Sequence, residues 1–176
     1  MIITLSGQPG SGKTSVAREI AGECSFVIIS AGEQFRKLAA ERGMTLEEFG
    51  RLAESDRTID LAIDQRQKEL STKYPDVLVE GRLAGWTIDA DLKIWLKTPL
   101  RVRAERIANR EDIPVHRAYD ETEARQKCEI MRYKNFYDID LTDLSCYDLV
   151  IDTSKWDAKG VASIIFKAME ELKRKC

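Results

Sequence analysis

The apolar run Ile2-Ile3-Thr4-Leu5 leads straight into Gly7-Gln8-Pro9-Gly10-Ser11-Gly12-Lys13-Thr14, and Val16, Ala17, Ile20 and Ala21 then recur on one helical face. A strand, a glycine-rich turn of the form G-x-x-x-x-G-K-[ST] and a helix, in that order, leave few folds open. The strand must lie in a parallel sheet, with the helix carrying the chain back across it. Gly7, Gly10 and Gly12 allow backbone angles that a side chain forbids, so successive N–H groups converge on phosphate oxygens at the helix start. Lys13 reaches the β and γ phosphates, and Thr14 offers its hydroxyl to a magnesium ion. Gln8, Pro9, Ser11 and Ser15 complete the cradle. A chance glycine-rich turn is the alternative, and the strand-to-helix setting speaks against it. The segment therefore predicts a site for a nucleoside triphosphate with Mg2+, ATP being the expected donor.

Further β-rich runs at 26–29, 77–79, 92–96 and 148–151 alternate with helical patterns. Together with 2–5 they predict an α/β fold of the P-loop NTPase type, a three-layer arrangement with a five-stranded parallel sheet and helices on both faces. Thr45 and Glu48 form a capping box, and Thr98-Pro99 reads as an N-cap followed by proline at the first helical position. Val161, Ile164, Ile165, Ala168, Met169 and Leu172 predict a closing helix that covers one face of the sheet. At 176 residues and 43% hydrophobic content, one domain spanning 1–176 is expected. Two charged, mostly helical excursions, 32–74 and 99–144, leave the sheet where they can close over substrates.

The 28 basic and 30 acidic residues nearly cancel, for a net charge of -2, so no general attraction to nucleic acid or anionic membrane is expected. Apolar runs such as 161–166 are too short to span a bilayer, and a strand from residue 2 leaves no room for a leader. A cytoplasmic monomer is the expectation. Cys24, Cys128, Cys146 and Cys176 show neither C-x-x-C spacing nor pairing with His116, the one histidine, which excludes a zinc finger or a disulfide framework. His116, in a polar stretch after Pro114, reads as an exposed loop or helix-end residue.

Ser30-Ala31-Gly32-Glu33-Gln34-Phe35-Arg36 follows the second strand and Glu80-Gly81-Arg82 follows the third. Ligands bind beyond the carboxyl ends of parallel strands, so Arg36 and Arg82 are expected in the crevice of the phosphate loop, where guanidinium groups suit a second phosphate. Surface salt bridges are the competing explanation. Arg103, Arg106 and Arg110 lie at i, i+3 and i+7 and share one helix flank, beside a core stripe of Leu100, Ala104, Ile107 and Ala108. Arg125, Glu129 and Arg132, at i, i+4 and i+7, share another. A solvated charged helix has the same spacing. Phosphoryl transfer, however, needs cations on the migrating group and water kept out, and an arginine-bearing lid over about 106–135 supplies both.

Nearly end to end, the chain resembles the nucleoside monophosphate kinases, and most closely their archaeal cytidylate kinase type. The resemblance is carried by G-Q-P-G-S-G-K-T, I-S-A-G-E-Q-F-R, E-G-R-L-A-G-W, D-L-K-I-W-L-K, R-A-E-R-I-A-N-R-E and Y-D-L-V-I-D-T-S. It implies that the phosphate loop, with Arg106 and Arg110, holds ATP. Ser30, Gly32, Arg36, Gly81 and Arg82 would hold the acceptor monophosphate, CMP or dCMP, in a segment formed by 32–74. Lys13, Arg125 and Arg132 would act on the transferring group, and Asp152-Thr153-Ser154 would lie near the adenine. Glu129 falls where related bacterial enzymes carry an acidic residue that reads cytosine, although an ion pair with its neighbouring arginines is equally compatible with its position. Leu83 stands where those enzymes have Asp, and Glu33 replaces the Asp of S/T-x-G-D in adenylate kinases. An adenylate-kinase-like or other small-molecule kinase is the alternative within this scaffold. A GTPase or ATPase switch is disfavoured, because no N-K-x-D motif occurs and the one D-x-x-G, Asp157 to Gly160, comes too late in the chain.

Overall fold

The computed structural model describes residues 1–174, apart from the side chains of Leu46 and Glu47, so Cys176 lies outside it. Strands β1 (Ile2–Gly7), β2 (Val27–Ser30), β3 (Val77–Glu80), β4 (Leu92–Lys97) and β5 (Leu149–Asp152) form one parallel sheet in the order β2-β3-β1-β4-β5. All five expected strands are present. Each runs one or two residues past its predicted end, because ladder hydrogen bonding, not hydrophobicity, decides where a strand stops.

Alternation along the strands divides the core in two. Ile3, Leu5, Leu78, Ile94, Leu96 and Ile151 pack with Val16 and Ile20 of α1 (Lys13–Glu23) and with Val161, Ile165 and Met169 of α8 (Ala158–Lys173). Val77, Val79 and Ile29 face the other way, with Leu70 of α4 (Arg57–Ser71) and Ala84 of the short α5 (Ala84–Thr87). A sheet covered on both faces explains why β3 is buried at every position.

Between β2 and β3 the chain forms α2 (Ala31–Glu41), α3 (Leu46–Ser55) and α4, around a satellite core of Phe49, Ala53, Ile59 and Ile63. Both bonds of the Thr45–Glu48 capping box are made. Between β4 and β5 come α6 (Leu100–Glu111) and the 23-residue α7 (Val115–Tyr137). His116 lies exposed in the first turn of α7. Asp157, part of the D-x-x-G match, caps α8 by accepting from Gly160 N.

The expected cap at Thr98 is not used. Pro99 takes the N-cap position, and the Thr98 hydroxyl pairs at 2.7 Å with that of Thr153. Two hydroxyls buried together satisfy each other better than either satisfies a helix end open to water.

Gly85 marks the tightest contact between α5 and the loop before β5. Its N–H donates to Ser6 Oγ at 3.1 Å, and an added Cβ would lie 2.2 Å from Tyr147 Cε1. Gly85→Ala is expected to cost about 1–3 kcal/mol by overpacking. Gly22, on the exposed side of α1, has nothing within 4 Å of such a Cβ. Gly22→Ala is expected to add about 0.5–1 kcal/mol. Urea unfolding midpoints check both, and a Gly85→Ala protein as stable as the parent contradicts this account of the contact.

Candidate active site

β1 lies between β3 and β4, so the loop leaving it opens on the middle of the carboxyl edge. That loop ends at Gly12, which has φ 94° and offers no side-chain cap to α1, whose first turn carries no acidic residue. The first turns of α2, α3, α4 and α8 are closed instead by Ser30, Thr45, Asp56 and Asp157. The free N–H groups of α1 and its dipole therefore remain for an anion.

A cleft of about 1110 Å³ opens over this turn. It is lined by residues 9–15 of the loop and by Ser30, Gly32, Arg36, Gly81, Arg82, Arg106, Arg110 and Arg125. Gly7, Gln8, Glu129 and Arg132 do not line it. The carbonyls of Gly7 and Gln8 accept from Lys13 Nζ at 2.7 and 3.0 Å. Burial, with the Arg82 charge adding to it, pulls Lys13 from the ordinary 10.5 to about 7.

At the ends of β2 and β3, Ser30 and, from the loop after β1, Thr14 both donate to Glu80 Oε1, at 2.5 and 3.2 Å. Glu80 Oε2 is buried with no partner among the described residues. No motif in the sequence gives Glu80 a role. The available signal was a carboxylate ending a strand that is otherwise Val77-Leu78-Val79. Arg36 is exposed at the rim. Arg82 Nε donates to Glu129 Oε2 at 2.5 Å, and Arg125 Nε to Glu129 Oε1 at 2.9 Å. Burial acts to raise the Glu129 carboxyl, but the two guanidinium groups outweigh it and hold it below the usual carboxylate range.

Arg132 points elsewhere. It pairs with Asp60 of α4 at 3.2 Å, reaches Tyr133 Oη at 3.3 Å and touches Ala53 O at 3.4 Å. Tyr137 donates to Asp64 at 2.8 Å, so α7 is fastened to α4 along this side. On α6, Arg106 grips Thr153 through its hydroxyl at 2.9 Å and its carbonyl at 2.7 Å, and Arg110 pairs with Glu111. Arg103 departs from the flank expected to carry all three α6 arginines. It is 2% exposed and turned inward: i and i+7 lie on nearly the same side of the helix but two turns apart along it, and the turn that carries Arg103 packs against Pro9 and Gly10 of the loop.

The sequence model of the cytidylate kinase-like family matches residues 2–155. A cytidylate kinase of Methanocella arvoryzae is 82% identical over 174 residues, covering 99% of both chains. One from Methanothrix thermoacetophila is 50% identical over 173 residues, covering 98% of this chain and 100% of its own. Among solved structures, shikimate kinase from Acinetobacter baumannii in complex with shikimate superposes with a TM-score of 0.62 at 19% identity, over 97% of this chain and 93% of its own. That likeness is one of fold alone. Identity sustained over the full length, on a fold whose carboxyl edge is built for phosphate, makes the conclusion plain: the chain belongs to the cytidylate kinase-like family.

Proposed function

We propose that the protein transfers the γ-phosphoryl group of ATP to CMP, and to dCMP, giving ADP and CDP. Family membership makes it an ATP-dependent nucleoside monophosphate kinase. The cytosine acceptor is the reading favoured by the name its relatives carry. One observation carries the two-substrate layout: cations from two sides converge on one cleft. Lys13, Arg106 and Arg110 surround the phosphate loop, while Arg36 and Arg82 stand beyond β2 and β3.

Transfer between the two phosphates needs positioning and charge neutralisation more than a nucleophilic side chain. Lys13 and the α1 amides would hold the β and γ phosphates of ATP, and Arg36 and Arg82 the acceptor phosphate. Arg125 would neutralise the migrating group from α7, and Arg132 would join it on leaving Asp60. Thr14 and Glu80 would hold Mg2+, which when bound offsets charge on the donor phosphates. The orphaned buried oxygen of Glu80 beside the Thr14 hydroxyl fits a hard, oxygen-seeking cation. No helix among the described residues is long and apolar enough to cross a membrane. A cytoplasmic monomer that takes nucleotides, not nucleic acid, is the working picture.

Purified protein with ATP, magnesium and each of CMP, dCMP, UMP, AMP and GMP tests the reaction. ADP should form rapidly with CMP and only slowly with no monophosphate. Equal ATP turnover without any acceptor overturns the kinase assignment, and a preference for AMP returns the adenylate-kinase alternative.

Cytosine presents an amino donor where uracil presents an acceptor, so a carboxylate favours the first. Glu129 is the proposed reader, freed from Arg82 when a phosphate takes its place. Glu129→Gln should lower the CMP-to-UMP ratio of kcat/KM by about tenfold or more. An unchanged ratio with reduced thermal stability makes Glu129 a brace of the lid.

The low pKa of Lys13 sets a proton balance. Bound phosphates stabilise its charged form, so binding above about pH 7 must take up a proton. Calorimetry of ADP binding at pH 8 in buffers of different ionisation enthalpy should show uptake of about one proton. No uptake at that pH means that Lys13 is already charged in the free protein.

A further inference from the structure

Arg103 has the largest of the fully buried side chains, yet it meets no carboxylate among the described residues. Its Nε donates to Thr98 O at 3.1 Å, one terminal nitrogen donates to Pro9 O at 3.3 Å, and the other donates to Gln126 Oε1. The three acceptors belong to the turn before α6, the phosphate loop and α7. Burying a guanidinium among neutral acceptors costs desolvation that an apolar side chain avoids. Packing alone does not account for an arginine here.

The loop lies flush against this residue. Gly10 has φ 79°, and an added Cβ would stand 2.8 Å from Arg103 O and 2.9 Å from Arg103 Cβ. No peptide bond in the described chain is cis. In a trans peptide the carbonyl and the following N–H point in opposite directions. With Pro9 O turned onto Arg103, the Gly10 N–H faces away from it, and Gly10 lines the cleft. Were the same peptide inverted, a carbonyl oxygen would meet the phosphates in place of a donor.

We propose that Arg103 is a positioning residue: by holding the Pro9 carbonyl it aims the Gly10 amide at the donor phosphates, and through Gln126 it ties that aim to helix α7. The inference rests on the donor polyphosphate binding at this loop and is independent of which monophosphate accepts. Arg106 and Arg110 face the cleft from the same helix, whereas Arg103 acts from behind the loop through backbone. One guanidinium thus joins the lid to the donor site.

The test uses Mg-ADP as probe, with no acceptor present, on the full chain and on the R103M, R103K and Q126L variants. Calorimetry gives affinity, amide hydrogen exchange in the ADP-saturated protein reports on Gly10, and thermal melts verify folding. R103M is expected to weaken ADP by at least about tenfold, one phosphate hydrogen bond being lost and a carbonyl released. R103K, able to hold fewer acceptors, should weaken ADP by about threefold or more, short of the loss in R103M. In both, exchange at Gly10 should quicken while the melt still shows a cooperative fold. Q126L cuts only the arm to α7, and Gly10 exchange should still quicken by about threefold or more. A folded R103M or R103K that binds ADP within about twofold of the parent overturns the proposal, since a lost phosphate contact costs more than that. If R103M fails to fold, R103K decides alone. Unchanged Gly10 exchange in Q126L removes the tie to α7. Failure of the parent protein itself to bind ADP instead counts against the donor-site reading.

Discussion

Seven cationic side chains, Lys13, Arg18, Arg36, Arg82, Arg106, Arg110 and Arg125, line one cleft, and the rest of the site is arranged around the repulsion this creates. Like charges brought together with little water between them destabilise a fold unless something nearby answers them. Here most of the answers are specific. The Lys13 ammonium rests on the Gly7 and Gln8 carbonyls, Arg82 and Arg125 divide the two oxygens of Glu129, and Arg106 lies on Thr153. Arg110 leans on Glu111. Each contact is of a kind that a phosphate oxygen can replace, since a carboxylate or carbonyl offers the same lone pairs. The same groups thus answer the charges of the cleft and define what competes for them.

The parallel sheet brings these groups together. Every strand ends on the same edge, so the residues that follow β1, β2 and β3 meet there although they lie far apart in sequence. Helices α6 and α7 close the arrangement from the other side. Tyr137 and Arg132 fasten α7 to α4 through Asp64 and Asp60. Burial pushes the Asp64 carboxyl up to about 6, and the bond from Tyr137 works against that rise. Helices α4 and α7 are therefore in direct contact, and moving one changes the charges seen by the other.

How much was legible in the sequence follows the range of each interaction. The phosphate loop is local, and its glycines and the strand-to-helix change identify it without reference to the rest of the chain. The strands were visible as short β-rich runs and the final helix as a period of 3.6 residues. The α6 arginines were visible as a spacing, but spacing does not say where a side chain turns. Arg106 and Arg110 face the cleft while Arg103 lies beneath the loop. Thr98 likewise looked like a cap, because its partner Thr153 is 55 positions away. Glu80 went unnoticed for the same reason, its neighbours Thr14 and Ser30 being 66 and 50 positions distant.

The sequence by itself determined that this chain folds as a parallel α/β sheet, carries a triphosphate loop and resembles the cytidylate kinase type. Those properties are written in neighbouring residues, whose backbone preferences act over a few positions. Only the tertiary structure decided which charge answers which. Glu129 pairs with Arg82 across 47 positions as well as with its helix neighbour Arg125, and Arg132 turns to Asp60 instead of to Glu129 three residues before it. Helical spacing leaves several partners within reach of a long arginine side chain. The choice among them is made by burial and by the packing of α7 against α4, which no local pattern records.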